Sequence, residues 1–323
     1  MEILVAFALD QKDKERISAA APDAVIHFCE DIHTLPSEIT DKIEIAFGYI
    51  SPSFLPKLPK LKWLHAASAG YDQFLTAGTL RKDVILTNSS GAYGQNISEY
   101  MLGAVLMHMQ NFHRLRDNQA SASWTDEGLA VNILGSTVAV VGTGDIGSSF
   151  AERMKLLGAS RVIGFKRNIH AKMPDFFDEI HTLEEIDTYL SEADVIATSL
   201  PSSPETTDFF HKERIALFKK GSIFVNVGRG TAVDLEALCT ALDEGKVRGA
   251  TVDVTDPEPL PSSHRAWHTK NLMITPHIAG GFRGYLYPNS DNCISLKNII
   301  SIFTQNLQCF LNETPLRNTI DHD

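Results

Sequence analysis

Short apolar runs rich in β-branched residues recur along the chain: ILVAFAL (3–9), AVIHF (24–28), IEIAF (43–47), VILT (84–87), TVAVV (137–141), RVIGF (161–165), DVIAT (194–198), SIFVNV (222–227) and ATVDV (250–254). They are apolar almost throughout rather than alternating, the pattern of strands covered on both faces of a parallel sheet. Stretches with helical spacing lie between many of them, for example Asp145 to Leu157 and Asp234 to Leu242. Strands alternating with helices predict an α/β fold of two doubly wound parallel-sheet units. From Ile97 to Leu115 the segment carries apolar residues at Ile97, Met101, Ala104, Val105, Met109, Phe112 and Leu115. That helical period is too long for a strand and predicts one connecting helix. Another helix is predicted over Cys293 to Leu311, late enough to cross back to the first unit. The first domain is therefore expected to be discontinuous, residues 1–98 with 295–323, around an inserted domain over 99–294.

The composition agrees with this reading, since 323 residues, 43% of them hydrophobic and 21% charged, suffice for two domains with a core each. A formal net charge of −11 disfavours nucleic acid as a partner and requires any anionic ligand to meet local positive charge. The opening MEILVAFALD has no basic leader and reaches Asp10 quickly, so it reads as a buried strand rather than a signal peptide, and a cytoplasmic location is the default expectation. No apolar run approaches the roughly eighteen residues of a membrane span, so no membrane partner is expected. Cys29, Cys239, Cys293 and Cys309 form no CxxC pair and suggest neither a disulfide framework nor a metal site.

Gly142-Thr143-Gly144-Asp145-Ile146-Gly147 is a G-x-G-x-x-G directly between the strand TVAVV and a helical pattern. In that setting the glycines allow a tight turn, close approach of a pyrophosphate and close helix–strand packing, while the helix N-terminus offers N–H groups to the phosphates. The motif predicts a dinucleotide site. About twenty residues further on, where a carboxylate would bind the ribose hydroxyls of NAD, the chain has Lys166, Arg167 and Asn168. Two cations and an amide suit a 2′-phosphate, so NADP(H) is the preferred cofactor and NAD(H) the other possibility.

Three further motifs follow in order: Val225-Asn226-Val227-Gly228-Arg229-Gly230, then Asp253-Val254-Thr255-Asp256-Pro257-Glu258-Pro259-Leu260-Pro261, then Thr275-Pro276-His277-Ile278-Ala279-Gly280. With the dinucleotide motif, they resemble the D-isomer-specific 2-hydroxyacid dehydrogenase family, best from about Ser68 to Gly280. The resemblance implies a Rossmann cofactor domain inserted into a flavodoxin-like substrate domain, and reduction of a 2-keto acid to the D-2-hydroxy acid. It implies Arg229, Glu258 and His277 as the catalytic residues, with Pro201 and Asp253 at the cofactor, Asp253 near the nicotinamide carboxamide. The chemistry suits these residue types: His277 can protonate a ketone oxygen as hydride arrives, and Glu258 can stabilise the imidazolium and hold its tautomer. Arg229 can polarise the carbonyl and pair with the carboxylate through its planar fork of donors.

In Ala67-Ser68-Ala69-Gly70-Tyr71-Asp72, the resemblance implies that backbone N–H groups of Ala69 and Gly70 hold the substrate carboxylate. It also puts Tyr93 beside the substrate, where a packed core tyrosine is the competing reading, and makes Tyr49, Tyr71 and Phe282 candidate pocket walls. Two positions depart from many relatives: the cofactor acid is missing, and Gly280-Gly281-Phe282-Arg283 follows the histidine motif without a small hydroxyl residue. The family resemblance further implies a homodimer through the cofactor domain. The competing functions are a corepressor-like NAD(P)-sensing binding protein and an NAD-dependent oxidation of the hydroxy acid.

Overall fold

The computed structural model describes residues 1–75, 78–169, 174–281 and 293–322. The first apolar runs become β1 (Glu2–Ala6), β2 (Val25–Phe28), β3 (Ile43–Gly48), β4 (Trp63–Ala66) and β5 (Ile85–Asn88). These strands are parallel in the order β2-β1-β3-β4-β5, the flavodoxin-like arrangement. Among the described residues two α-helices fall between them, α1 (Gln11–Ala20) and α2 (Ser37–Thr40). Asp10 caps α1, its carboxylate accepting the Asp13 N–H at 2.8 Å.

Strand β4 was not among the predicted runs, because WLHA has no β-branched residue and carries a histidine. His65 is fully buried, and burial lowers its pKa to about 3, so it sits there neutral. Its Nδ1 lies 2.6 Å from the Thr87 hydroxyl oxygen, which also accepts from Trp63 Nε1 at 2.8 Å. A polar strand residue is tolerated in the core because its neighbours satisfy it.

The second set of elements begins with α3 (Gly94–Met109) and α4 (Phe112–Ala120). A single helix from Ile97 to Leu115 was expected, and the structure breaks it at Asn111, whose φ is +58°. Asparagine tolerates this left-handed conformation. Arg248 secures the break, donating to the carbonyls of His108 and Leu129 and to Asn111 Oδ1. Phe112 and Leu115 continue the apolar period but are exposed.

There follow β6 (Thr137–Val141), α5 (Asp145–Leu156), β7 (Arg161–Lys166), β8 (Glu179–Thr182), β9 (Val195–Thr198), α6 (Lys212–Ala216), β10 (Ser222–Asn226), α7 (Leu235–Asp243), β11 (Val247–Val252) and β12 (Leu272–Ile274). Seven parallel strands line up as β8-β7-β6-β9-β10-β11-β12. This is the Rossmann order extended by one strand, and the order reverses between β6 and β9, where such sheets take ligands at their carboxyl ends. Strands β8 and β12 also escaped the sequence reading, being sheet edges whose residues are only half-buried.

The chain then returns to the first sheet with α8 (Ile294–Leu311) and β13 (Thr319–Ile320), which pairs antiparallel with β5. Helix α8 contributes Phe303, whose ring stacks on Phe47 at 3.9 Å and on Trp63 at 5.5 Å. The chain accordingly divides into one unit of residues 1–93 with 281–323 and an inserted unit of 94–280. The expected boundaries were 98/99 and 294/295. The first moves to 93/94 because α3 begins at Gly94 and packs along α5 as one element of the inserted unit. Residues 282–292, next to the second, lie outside the described residues.

If α8 completes the first core, Phe303→Ala should remove about 3–5 kcal/mol from the unfolding free energy of that unit. Denaturant unfolding checks this, and a loss near zero would detach α8 from the core.

Candidate functional site

The glycine loop sits between β6 and α5. Gly142 has φ +93°, a conformation that favours glycine, and a Cβ on Gly147 would lie 1.9 Å from the Gly142 carbonyl oxygen, so the turn closes only without side chains. A Cβ on Gly144 would meet nothing within 4 Å, and no side chain of that residue caps α5. Open space at a helix start with uncapped N–H groups fits a phosphate-bearing ligand. Ser199, just after β9, donates its hydroxyl to the Gly142 carbonyl at 3.2 Å, which brings the segment leading to exposed Pro201 against the glycine loop.

Lys166 ends β7 half-buried, and Arg167 and Asn168 are exposed beyond it. The Glu205 carboxyl is held below its usual pKa chiefly by a hydrogen bond from Ser203, with a smaller contribution from the Arg167 charge. Arg167 is thus within electrostatic reach of the loop after β9. Asp145 has a further use: its Oδ2 accepts the Gly94 N–H at 2.7 Å and so caps α3.

Strand β10 leads into the Arg229 loop. Buried Asn226 shapes the turn, its Nδ2 donating to the Arg229 carbonyl and its Oδ1 accepting the Gly228 N–H, both at 2.9 Å. Arg229 donates from Nη1 to the Gly228 carbonyl at 2.8 Å. A Cβ on Gly230 would come within 2.0 Å of the Thr255 carbonyl carbon, so this loop rests directly on the one after β11 that carries Glu258. Glu258 accepts the Thr255 N–H at 3.1 Å through Oε1, and its Oε2 lies 3.0 Å from His277 Nδ1. The structure therefore unites the loops of all three residues expected to be catalytic.

The His277 and Glu258 side chains remain 54% and 40% exposed, so their contact contributes only about 0–1 kcal/mol to stability. Its consequence is orientation: with Nδ1 on Glu258, Nε2 is the nitrogen left to face a ligand. His277 has φ +54°, which costs a residue with a side chain about 1–2 kcal/mol, and its N–H donates to the Asp253 carbonyl at 2.8 Å. Asp253 is 2% exposed. Its Oδ1 accepts from the Thr275 hydroxyl at 2.5 Å and the Ile278 N–H at 2.8 Å, and its Oδ2 from the Ala279 N–H at 2.8 Å. Asp253, expected at the carboxamide, is the anchor of the histidine loop.

In the other unit, four successive carbonyls are bound from within. Ala67 accepts from the Tyr93 hydroxyl (2.6 Å), Ser68 from the Ser89 N–H (3.1 Å), Ala69 from Asn88 Nδ2 (2.6 Å) and Gly70 from the Ser68 hydroxyl (2.6 Å). Tyr93 is only 7% exposed and its hydroxyl hydrogen is committed, so it braces this loop, in keeping with the packed-tyrosine reading. Of the candidate walls, Tyr49 is exposed, Tyr71 packs partly against the first core, and Phe282 lies outside the described residues. Asn226, Asn88, Ser89 and Thr275 were assigned no role from the sequence, because their role is to hold loops; their trace is a polar residue where a buried strand ends or a motif begins.

The model of the NAD-binding domain of D-isomer specific 2-hydroxyacid dehydrogenases matches residues 102–279, more than half of the chain. The chain belongs to this family. A D-isomer specific 2-hydroxyacid dehydrogenase family protein from Aeromonas salmonicida is 31% identical and superposes with a TM-score of 0.83, over 100% of this chain and 99% of that one. A D-isomer specific 2-hydroxyacid dehydrogenase from Xanthobacter autotrophicus, solved with NADPH and MES, is 26% identical with a TM-score of 0.81, over 99% and 98%. Glyoxylate/hydroxypyruvate reductase B of Erwinia tasmaniensis is 28% identical over 72% of this chain and 73% of its own. As a 2-hydroxyacid dehydrogenase the protein is an NAD(P)-linked oxidoreductase whose substrates are small keto or hydroxy acids. No helix among the described residues of this dehydrogenase is long and apolar enough to cross a membrane.

Two glycines separate folding from cofactor binding. Gly147→Ala, which drives a Cβ into the Gly142 carbonyl, should lower both thermal stability and NADPH affinity. Gly144→Ala, whose Cβ enters open space, should leave the melting temperature nearly unchanged yet weaken NADPH binding by about tenfold or more. Fluorescence titration with NADPH and a thermal melt decide; undiminished binding by Gly144→Ala would remove the phosphate site from this loop.

Proposed function

We propose that this dehydrogenase works as a reductase, converting a small 2-keto acid to the D-2-hydroxy acid with NADPH preferred over NADH. The observation that carries the proposal is the contact of His277 Nδ1 with Glu258 at 3.0 Å, on a loop packed beside that of Arg229. It supplies a protonatable nitrogen, an anion that stabilises its charged form, and a guanidinium in one constellation.

The Gly142–Gly147 loop would hold the pyrophosphate of NADPH, which when bound would supply the hydride that the keto carbon accepts. Arg229 binds the carboxylate and polarises the carbonyl, so negative charge developing on oxygen meets a cation. His277 delivers its proton from Nε2 to that oxygen, and Glu258 balances the imidazolium before transfer. Ala69 and Gly70 lie on the loop that the family resemblance implies for the substrate carboxylate, and the carbonyls of this loop are bound from within its own unit. Lys166, Arg167 and Asn168 favour a 2′-phosphate, and the 26% identical relative was solved with NADPH. Glyoxylate and hydroxypyruvate head the substrate candidates, since a reductase of these acids is among the relatives. The proposal includes a cytoplasmic homodimer through the cofactor domain, supported by exposed Phe112, Leu115, Trp124, Leu129 and Leu134 on that domain.

His277→Ala should lower kcat for glyoxylate reduction by about 10²–10⁴ while NADPH affinity holds. Glu258→Gln, which removes the anion paired with Nδ1 and frees the imidazole to turn, should also lower kcat while NADPH affinity holds. A parent-like rate for His277→Ala would refute the donor assignment.

Cofactor preference has its own check. The parent kcat/KM should favour NADPH over NADH, and Arg167→Ala should erode that preference by about tenfold, the worth of one charge-assisted phosphate contact. Equal values for both cofactors in the parent would refute the 2′-phosphate reading.

A further inference from the structure

Helix α3 reaches the histidine loop at both ends. The Tyr100 hydroxyl lies 2.6 Å from Thr275 Oγ1, and Asn96 Nδ2 donates to the Gly280 carbonyl at 3.3 Å. Asn96 and Tyr100 are four residues apart and so share one face of the helix. His277 stands between the two attachment points. The hydrogen direction follows from counting: Thr275 has one hydroxyl hydrogen and gives it to Asp253 Oδ1 at 2.5 Å, so Tyr100 must donate to Thr275. Burial of Tyr100, together with the nearby Asp253 charge, raises its pKa to about 12, which keeps that donor protonated.

We infer that Tyr100 and Thr275 are positioning residues for keto-acid reduction: the chain Tyr100–Thr275–Asp253 fixes the hydroxyl rotor that, with the N–H groups of Ile278 and Ala279, locks the Asp253 carboxylate onto the loop and holds His277 at its positive φ. The inference rests on His277 being the proton donor. Without the Tyr100 hydroxyl, Thr275 is free to turn away from Asp253, one of three bonds on that carboxylate is lost, and the imidazole loses its fixed approach. Proton transfer is sensitive to such a displacement, whereas substrate capture by Arg229 is not. The consequence is a loss in kcat at nearly constant KM.

The test compares Tyr100→Phe, Thr275→Val and Thr275→Ser with the parent enzyme and with His277→Ala, using NADPH and glyoxylate, with rates normalised to the NADPH-binding fraction. Tyr100→Phe and Thr275→Val should each lower kcat by about tenfold, with both KM values within about twofold and a melting temperature close to the parent's. Thr275→Ser keeps the hydroxyl and should restore most of the rate. The double variant Tyr100→Phe/Thr275→Val should be no slower than Thr275→Val alone, since both act through one chain. A parent-like kcat in Tyr100→Phe and Thr275→Val beside an inactive His277→Ala would overturn the inference and leave the donor assignment intact. Equal losses in Thr275→Ser and Thr275→Val, or losses that follow the melting temperature, would likewise overturn it. A parent-like kcat in His277→Ala would overturn both.

Discussion

The carboxylate of Asp253 is almost wholly removed from water at the end of β11, and three donors from one short segment converge on it: the Thr275 hydroxyl and the N–H groups of Ile278 and Ala279. Its own carbonyl accepts a fourth bond, from the His277 N–H. A buried carboxylate requires such compensation, so the loop must wrap around it. This wrapping presses a non-glycine residue into a left-handed conformation and points its ring at Glu258. Were Asp253 exposed, the loop would gain little by closing on it, and the imidazole would have many orientations.

The sheet explains why the carboxylate is there. Strands β10, β11 and β12 are parallel neighbours, so their carboxyl ends deliver the loops of Arg229, Glu258 and His277 to one edge of the sheet. The glycine loop leaves β6 at the same edge, beside the reversal in strand order. One geometric rule, that parallel strands end together, therefore gathers cofactor loop and catalytic loops that are more than eighty residues apart in sequence. Ser199 and Thr275, hydrogen-bonding residues of modest size, bind such loops to each other, while Asn226 shapes its own loop from within.

Charge is arranged on the same principle. The chain as a whole is strongly acidic, and the cations that meet anionic ligands are placed locally, Lys166 and Arg167 after β7 and Arg229 after β10. Backbone N–H groups extend this positive character at the start of α5, where no protein side chain would contact a Cβ on Gly144. Local potential, rather than net charge, governs ligand binding at this range because screening is weak over a few ångströms.

The strand-by-strand apolar runs, the glycine motif and the order of the Arg229, Glu258 and His277 motifs were legible in the sequence, because covered parallel strands and phosphate loops constrain residue type at neighbouring positions. Strand β4 was not legible: its His65 is acceptable only because Thr87, distant in sequence, accompanies it in the core. The unbroken period from Ile97 to Leu115 concealed the left-handed Asn111, which Arg248 stabilises from β11. Tyr93 drew a reading from the sequence and Tyr100 none, yet Tyr93 braces Ala67 and it is Tyr100 that reaches Thr275. Sequence by itself determined the two sheets, their ligand class and the residue types at the site, since these depend on local pattern. Only tertiary structure decided which polar residues hold the site in place, because a hydrogen bond between residues 100 and 275 leaves no periodic trace along the chain.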